Sequence, residues 1–159
     1  LAYSSNQSLR GFFSRLAPEH AEKLWLVAVV FVVAIVWFAM ERLSHENQAV
    51  LILLAASVSL LCSPVSWSHH FTWLVLAGVL LVAQRHWVLA ALTWLALLAR
   101  GHWLVPHSND QELNWAWWQH IVGNDYAIVT ALLVLCSLPL ALRRAGAYQS
   151  AAEPASSQG

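Results

Sequence analysis

Leu24 to Met40 is a run of 17 residues without a single charge. An apolar helix of that length has few resting places. It reaches the lower end of what crosses a hydrocarbon core about 30 Å thick, for which roughly 17–25 helical residues are needed. Wrapping it on all sides in water would take polar surface that the chain does not own. Only 10% of its residues are charged, against about 25% in a soluble domain, and 59% are hydrophobic. The expected fold is all-α: a polytopic membrane helix bundle.

Four further apolar stretches set the expected count of about five transmembrane helices. Pro18, Glu19 and Glu22 suit the start of the first helix, where proline and acidic residues are favoured, and Lys23 can snorkel. The spans are expected at about 24–40, 49–62, 67–83, 87–103 and 127–142. The second stops at Ser63-Pro64, because proline disfavours helix in the residue before it. The third and fourth have uninterrupted cores of 13 residues each, Phe71–Ala83 and Trp87–Ala99. At 1.5 Å per residue these rise only about 20 Å, so flanking tryptophans are needed to complete two spans. The rival is a re-entrant pair turning at Gln84-Arg85-His86. Residues 104–126 are expected as an outer loop with a short interfacial helix over Asn114–Val122, and Pro139 as a bend in the fifth span.

Residues 1–23 read as a polar, interfacial, extracytoplasmic segment, and 143–159 as a disordered cytoplasmic tail. A first residue other than Met and a solvated Ala/Ser/Gln-rich end suggest the C-terminal piece of something longer. The basic residues divide evenly between the two sides, and Arg143-Arg144 abutting the last span tips the C-terminus to the cytoplasm. Cys62 and Cys136 read as packed thiols. Eight Lys+Arg balance eight Asp+Glu, so no basic surface invites nucleic acid.

With that orientation three polar segments share the outer face: Ser4–Arg15, Ser63–His70 and the long loop. The densest constellation is Ser63-Pro64-Val65-Ser66-Trp67-Ser68-His69-His70. If a helix begins near Ser66, then Ser66, His69, His70 and Trp73 fall on one face. Imidazole titrates near neutrality, so the pair can hold a phosphate, relay a proton or bind a metal. No carboxylate or thiol stands at ligand spacing, and adjacent histidines diverge by about 100° on a helix, so no metal or other cofactor is expected. Bis-histidine haem ligation through His70 and His120 has nothing to fix the pairing. The second constellation, Asn6-Gln7-Ser8 followed by Arg10 and Arg15, suits contacts with sugar hydroxyls and phosphate. Any of the carboxylates Glu19, Glu22, Asp110, Glu112 and Asp125 could in principle be a general base, but Glu19 and Glu22 read as helix-start residues and Asp110 and Asp125 as turn residues, and no role is assigned to any of the five. A transporter should carry charges at mid-membrane, and the spans hold almost none. A non-catalytic membrane module remains the alternative reading.

Asn6-Gln7-Ser8-Leu9 with Gly11 and Arg15, then Ser63-Pro64-Val65-Ser66-Trp67-Ser68-His69-His70 about two spans later, resembles glycosyltransferase family 87. Those enzymes are polytopic mannosyltransferases of the actinobacterial envelope. The resemblance implies the C-terminal part of a GT-C type fold with an extracytoplasmic active site in the plasma membrane. It also implies a polyprenyl-phospho-mannose donor, a glycolipid or lipoglycan acceptor, surrounding membrane lipid, and inversion at the anomeric carbon. The catalytic general base of such enzymes is an Asp on a first outer loop that this sequence lacks, so the segment alone is expected to be inactive. On this reading His69 and His70 are catalytic, facing the donor phosphate. Asn6, Gln7, Ser8, Arg10, Arg15, Ser66 and Trp67 bind substrate.

Overall fold

The computed structural model describes residues 1–43 and 48–152, the backbone alone from residue 143 onward. Among the described residues there are helices and turns, and no strand beyond one isolated bridge. The helices are α1 (Leu9–Leu16), α2 (Ala21–Leu43), α3 (Gln48–Cys62), α4 (Trp73–Ala83), α5 (Trp87–Ala99), α6 (Trp117–Gly123) and α7 (Asp125–Ala152). The all-α expectation holds.

Among the described residues two helices are long and apolar enough to cross a membrane: Pro18–Leu43, in which a 3-10 turn leads into α2, and Asp125–Leu142 within α7. The outer face of α2 carries Val27, Val30, Phe31 and Trp37, each more than half exposed. That is the inverse of a soluble helix and suits contact with lipid. At 1.5 Å per residue, the 15 residues of α3, 11 of α4 and 13 of α5 rise only about 16–23 Å.

The flanking tryptophans do not extend α4 and α5 as expected. Trp67 is an extended residue ahead of a 3-10 turn over Ser68–Thr72. α5 stops at Ala99, because Arg100 adopts the left-handed conformation (φ 50°, ψ 52°) that ends helices, and a separate turn carries Gly101–Trp103. The tight α4–α5 hairpin is present, with Arg85 at φ 61° in its turn. At the other end α7 continues through Ala152, ten residues past the expected close of the fifth span. Residues 153–159 and the side chains of Arg143 and Arg144 lie outside the description, as do residues 44–47.

Two apolar clusters join the helices. Val36 and Ala39 of α2, Leu54 and Leu61 of α3, and Ala127, Val134 and Ala141 of α7 form the first. Its alanines let backbones approach closely, as small residues do between membrane helices. Leu60, Phe71, Leu74, Ala96, Tyr126 and Val129 form the second, seating the hairpin against α3 and α7.

The polar end depends on close approaches at glycine, among them one at Gly101. A Cβ on Gly101 would lie 2.3 Å from the Val122 carbonyl oxygen and 3.1 Å from Asp125 Oδ2, so only glycine lets the end of α5 meet the α6–α7 corner. Gly101→Ala is expected to destabilise the fold by about 1–3 kcal/mol, read as a lower thermal midpoint in detergent. An unchanged midpoint would mean that the corner can open at no cost.

Candidate functional site

The three polar segments converge at one end of the bundle. Residues 5–8 run antiparallel to residues 66–68: Gln7 N–H donates to Ser66 O (2.8 Å), and Ser68 N–H to Ser5 O (2.9 Å). These bonds flank the bridge between Asn6 and Trp67. Asn6 Oδ1 accepts from Ser66 N (3.0 Å), Ser8 N (3.3 Å) and Ser8 Oγ (3.0 Å), while its Nδ2 donates to Leu1 O and Pro64 O. Ser8 is the N-cap of α1, its Oγ accepting from Gly11 N at 3.1 Å, as serine caps do. Gln7 reaches the far side: Nε2 donates to Ser4 O and Gly123 O, and Oε1 accepts from Ala127 N.

Arg15 closes the arrangement. It is 1% exposed, and its guanidinium donors all have acceptors. Nε donates to Asn124 Oδ1 (3.1 Å), one terminal nitrogen to Ala2 O (3.1 Å) and Tyr3 O (2.9 Å), and the other to Asn6 O (3.0 Å) and again to Asn124 Oδ1. Asn124 is held in turn by its Nδ2 donating to His120 O. Burial draws the Arg15 pKa down to about 10, and the charge of Glu112 opposes the shift. Glu112, itself 2% exposed, accepts from Ser4 N and Ser108 N.

Asn6, Gln7, Ser8 and Arg15 are thus brought together, but as a buried tie whose side-chain polar atoms are engaged by protein, and Ser66 joins it through its backbone. Arg10 stands apart and half-buried, its guanidinium 5.0 Å above the Trp25 ring. His69 and His70 are exposed, their rings edge to face at 4.4 Å. They line a cavity of about 500 Å³ with Ser59, Ser63, Ser66 and Thr72. The proposed helical face does not exist, since Ser66 precedes the 3-10 turn. Ser66, His69, His70 and Trp73 nonetheless meet around this cavity. Trp67 is instead turned to Tyr3.

A second cavity, about 270 Å³, runs between α3, α4, α5 and α7 and shares Leu60 and Trp73 with the first. Its walls are mostly hydrocarbon, with Gln84 and His86 at the α4–α5 turn as polar exceptions. The hydroxyls of Ser57, Thr130 and Ser137 bond back to Leu53 O, Tyr126 O and Val134 O of their own helices. A polar chamber therefore adjoins an apolar groove.

Sequence reasoning missed Glu112, Asn124 and the pair His102–Asp125. His102 is fully buried, with Nδ1 3.3 Å from Asp125 Oδ1, while Asp125 Oδ2 accepts from Gly101 N at 2.7 Å. Asn124-Asp125 ahead of an apolar run is a helix-start signal, which could have placed both residues at the head of α7. Nothing local links Asp125 to His102. Among the described residues no group of three or more His, Cys, Asp or Glu is placed to hold a metal.

Residues 1–64 match glycosyltransferase family 87, a stretch that holds the Asn6–Arg15 motif and ends short of His69. The chain is 29% identical over 154 residues to a polyprenol-phosphate-mannose-dependent alpha-(1-2)-phosphatidylinositol mannoside mannosyltransferase of Mycobacterium tuberculosis, covering 89% of this chain and 35% of that protein. It is 31% identical over 141 residues to the protein of the same name from Mycolicibacterium smegmatis, covering 77% and 31%. It is 35% identical over 77 residues to a polyprenol-phosphate-mannose-dependent alpha-(1-2)-phosphatidylinositol pentamannoside mannosyltransferase of Mycobacterium tuberculosis, covering 47% and 18%. The chain spans about a third of the length of the first two relatives. No solved structure matches. The resemblance drawn from the two motifs is borne out.

Two outcomes follow from the buried tie. Arg15→Lys keeps the charge but loses the fork that serves several acceptors at once, and is expected to lower stability by about 3–5 kcal/mol in denaturant titration. A loss within error would show that the fork is dispensable. Burial first, and the Arg15 cation second, hold the His120 pKa below its ordinary value. The unfolded chain therefore takes up that proton first, so stability is full above about pH 6.5 and falls on acidification. The protection factors of α6 amides, with exchange normalised to its intrinsic rate at each pH, should fall from pH 7 to 5, and His120→Gln should flatten the dependence. An equal slope in the variant would assign the effect to another group.

Proposed function

We propose that this chain, with its glycosyltransferase family 87 match over residues 1–64, is the donor-side part of a membrane mannosyltransferase. The enzyme takes mannose from polyprenyl-phospho-mannose and passes it, with inversion, to a glycolipid or lipoglycan on the extracytoplasmic face. The observation that carries this reading is the polar chamber of His69 and His70 joined to an apolar groove at Leu60 and Trp73. A sugar phosphate esterified to a long hydrocarbon has the same two-part character. The names of the relatives supply the donor.

The chemistry assigned to the chamber is limited and specific. During transfer the bond from the mannose anomeric carbon to the phosphate oxygen breaks, and the acceptor oxygen bonds to that carbon from the opposite face. The acceptor's proton passes to a base supplied elsewhere in the longer enzyme. The departing prenyl phosphate gains one negative charge. Donors aimed at such developing charge are often the largest catalytic contribution, and His69 and His70 present ring N–H groups to it. Their exposure to the chamber leaves them open to a ligand. In this reading Asn6, Gln7, Ser8 and Arg15 act as positioning residues: they hold Ser66–His70 in place. Ser66 faces the chamber, and Arg10 adds positive charge on the neighbouring helix. The prenyl chain follows the apolar groove, and Arg143-Arg144 orients the C-terminus to the cytoplasm.

His69→Ala and His70→Ala, made separately in the full-length enzyme, are expected to leave membrane insertion intact. At least one should cut mannose transfer about tenfold or more, measured with lipid-linked mannose in reconstituted membranes. Wild-type turnover in both variants would remove the pair from the mechanism.

A further inference from the structure

The aromatic residues beside the chamber form a row that the donor reading does not use. Tyr3 lies between Trp67 and Trp103, with ring centroids 6.2 and 6.4 Å away and edge-to-face geometry at 67° and 73°. Trp103 continues to His107 at 5.1 Å. Tyr3, Trp67 and Trp103 are 41%, 39% and 36% exposed, so each keeps over a third of its surface for a ligand while the row itself stays assembled.

Three separate chain segments supply these rings, and each is tied at its backbone. Tyr3 O accepts from Arg15 and from Asn6 N. Trp67 is bridged to Asn6. Trp103 N–H donates to Arg100 O in the turn that Asp125 pins through Gly101. Behind Trp103 the stacking continues inward through His102, at 5.3 Å, to Tyr126, at 4.9 Å from His102, and on to Phe71 at 5.5 Å. All three of these inner residues are buried. A tryptophan anchored only by the headgroup region needs no such frame. A recognition surface gains from one, because rigid aromatics lose little entropy when a ligand arrives.

We infer that Tyr3, Trp67 and Trp103 form a carbohydrate platform that receives the mannoside portion of the acceptor and delivers its hydroxyl to the chamber of His69 and His70. This rests on the mannosyltransferase reading above. Pyranose rings present an apolar C–H face that suits an aromatic ring, and the rim offers polar atoms in the Tyr3 hydroxyl and the His107 ring. Trp67 directly follows Ser66, a residue of the chamber wall, so platform and chamber are the two sides of one short stretch of backbone. The apolar groove opens from the same chamber through Leu60 and Trp73. Donor and acceptor thus reach it by different surfaces.

The test is steady-state kinetics of the full-length enzyme in reconstituted membranes, varying donor and mannoside acceptor independently. Tyr3→Ala and Trp103→Ala should each raise the acceptor KM about fivefold or more, with the donor KM within about twofold, and Trp103→Phe should restore most of the loss. An unchanged acceptor KM overturns the platform, and so does a parallel rise in both KM values, which would mark a merely structural role. A second readout separates this proposal from the reading beneath it. Methyl α-mannoside should quench the tryptophan emission of the wild-type protein saturably, and Trp103→Ala should abolish the effect while circular dichroism stays unchanged. Saturable quenching lost in the variant supports the platform even if no mannose is transferred, in which case the mannosyltransferase reading alone fails. Absence of quenching in the wild type, or quenching that survives in Trp103→Ala, overturns the platform even if transfer is normal.

Discussion

A guanidinium taken out of water costs several kcal/mol unless each N–H finds an acceptor, and the polar end of this bundle is arranged so that Arg15 meets that condition. Four of its acceptor atoms are backbone or amide oxygens from opposite ends of the sequence: Ala2, Tyr3, Asn6 and Asn124. Glu112 acts on it through charge and is held by backbone N–H groups. One cation thus fixes the N-terminal segment, the last turn of α1 and the head of α7 relative to each other. The chamber wall follows, because Ser66–Ser68 is hydrogen-bonded to the segment that Arg15 holds.

The chamber and the groove together show how a helix bundle can offer two environments within a few residues. Ser59, Ser63, Ser66 and Thr72 line the chamber with the two histidines. Along the groove, serine and threonine are present too, yet their hydroxyls are turned onto their own helices. Ser63 of the chamber is engaged likewise, its Oγ donating to Val65 O at 2.9 Å, so the exposed imidazoles of His69 and His70 are what the chamber offers a ligand.

Much of this was legible in the sequence, for reasons that can be named. The uncharged run Leu24–Met40 announced α2, Ser63-Pro64 announced the end of α3, and Arg143 marked the edge of the last long apolar stretch. The two polar motifs were rightly expected to share one end. What escaped was the distinction between a polar residue that waits for substrate and one already engaged. Asn6, Gln7, Ser8 and Arg15 look alike in either role, because their partners Pro64, Gly123 and Asn124 stand far away in sequence. The shortness of α5 escaped for a different reason. Its limit is the left-handed turn at Arg100, adopted so that Gly101 can close on Val122 and Asp125, and that is a tertiary demand. His102 and Asp125 stayed hidden in the same way.

Arg15 and Asn124 are 109 positions apart, and that separation carries a consequence for how the molecule comes into being. The guanidinium emerges with α1, but its principal side-chain acceptor is synthesised only after α2 to α6. Helices form from local contacts, whereas long loops must close before such a distant pair can meet. Arg15 therefore stays hydrated while α2 to α6 are made, and its set of acceptors is complete only once Asn124 has followed them.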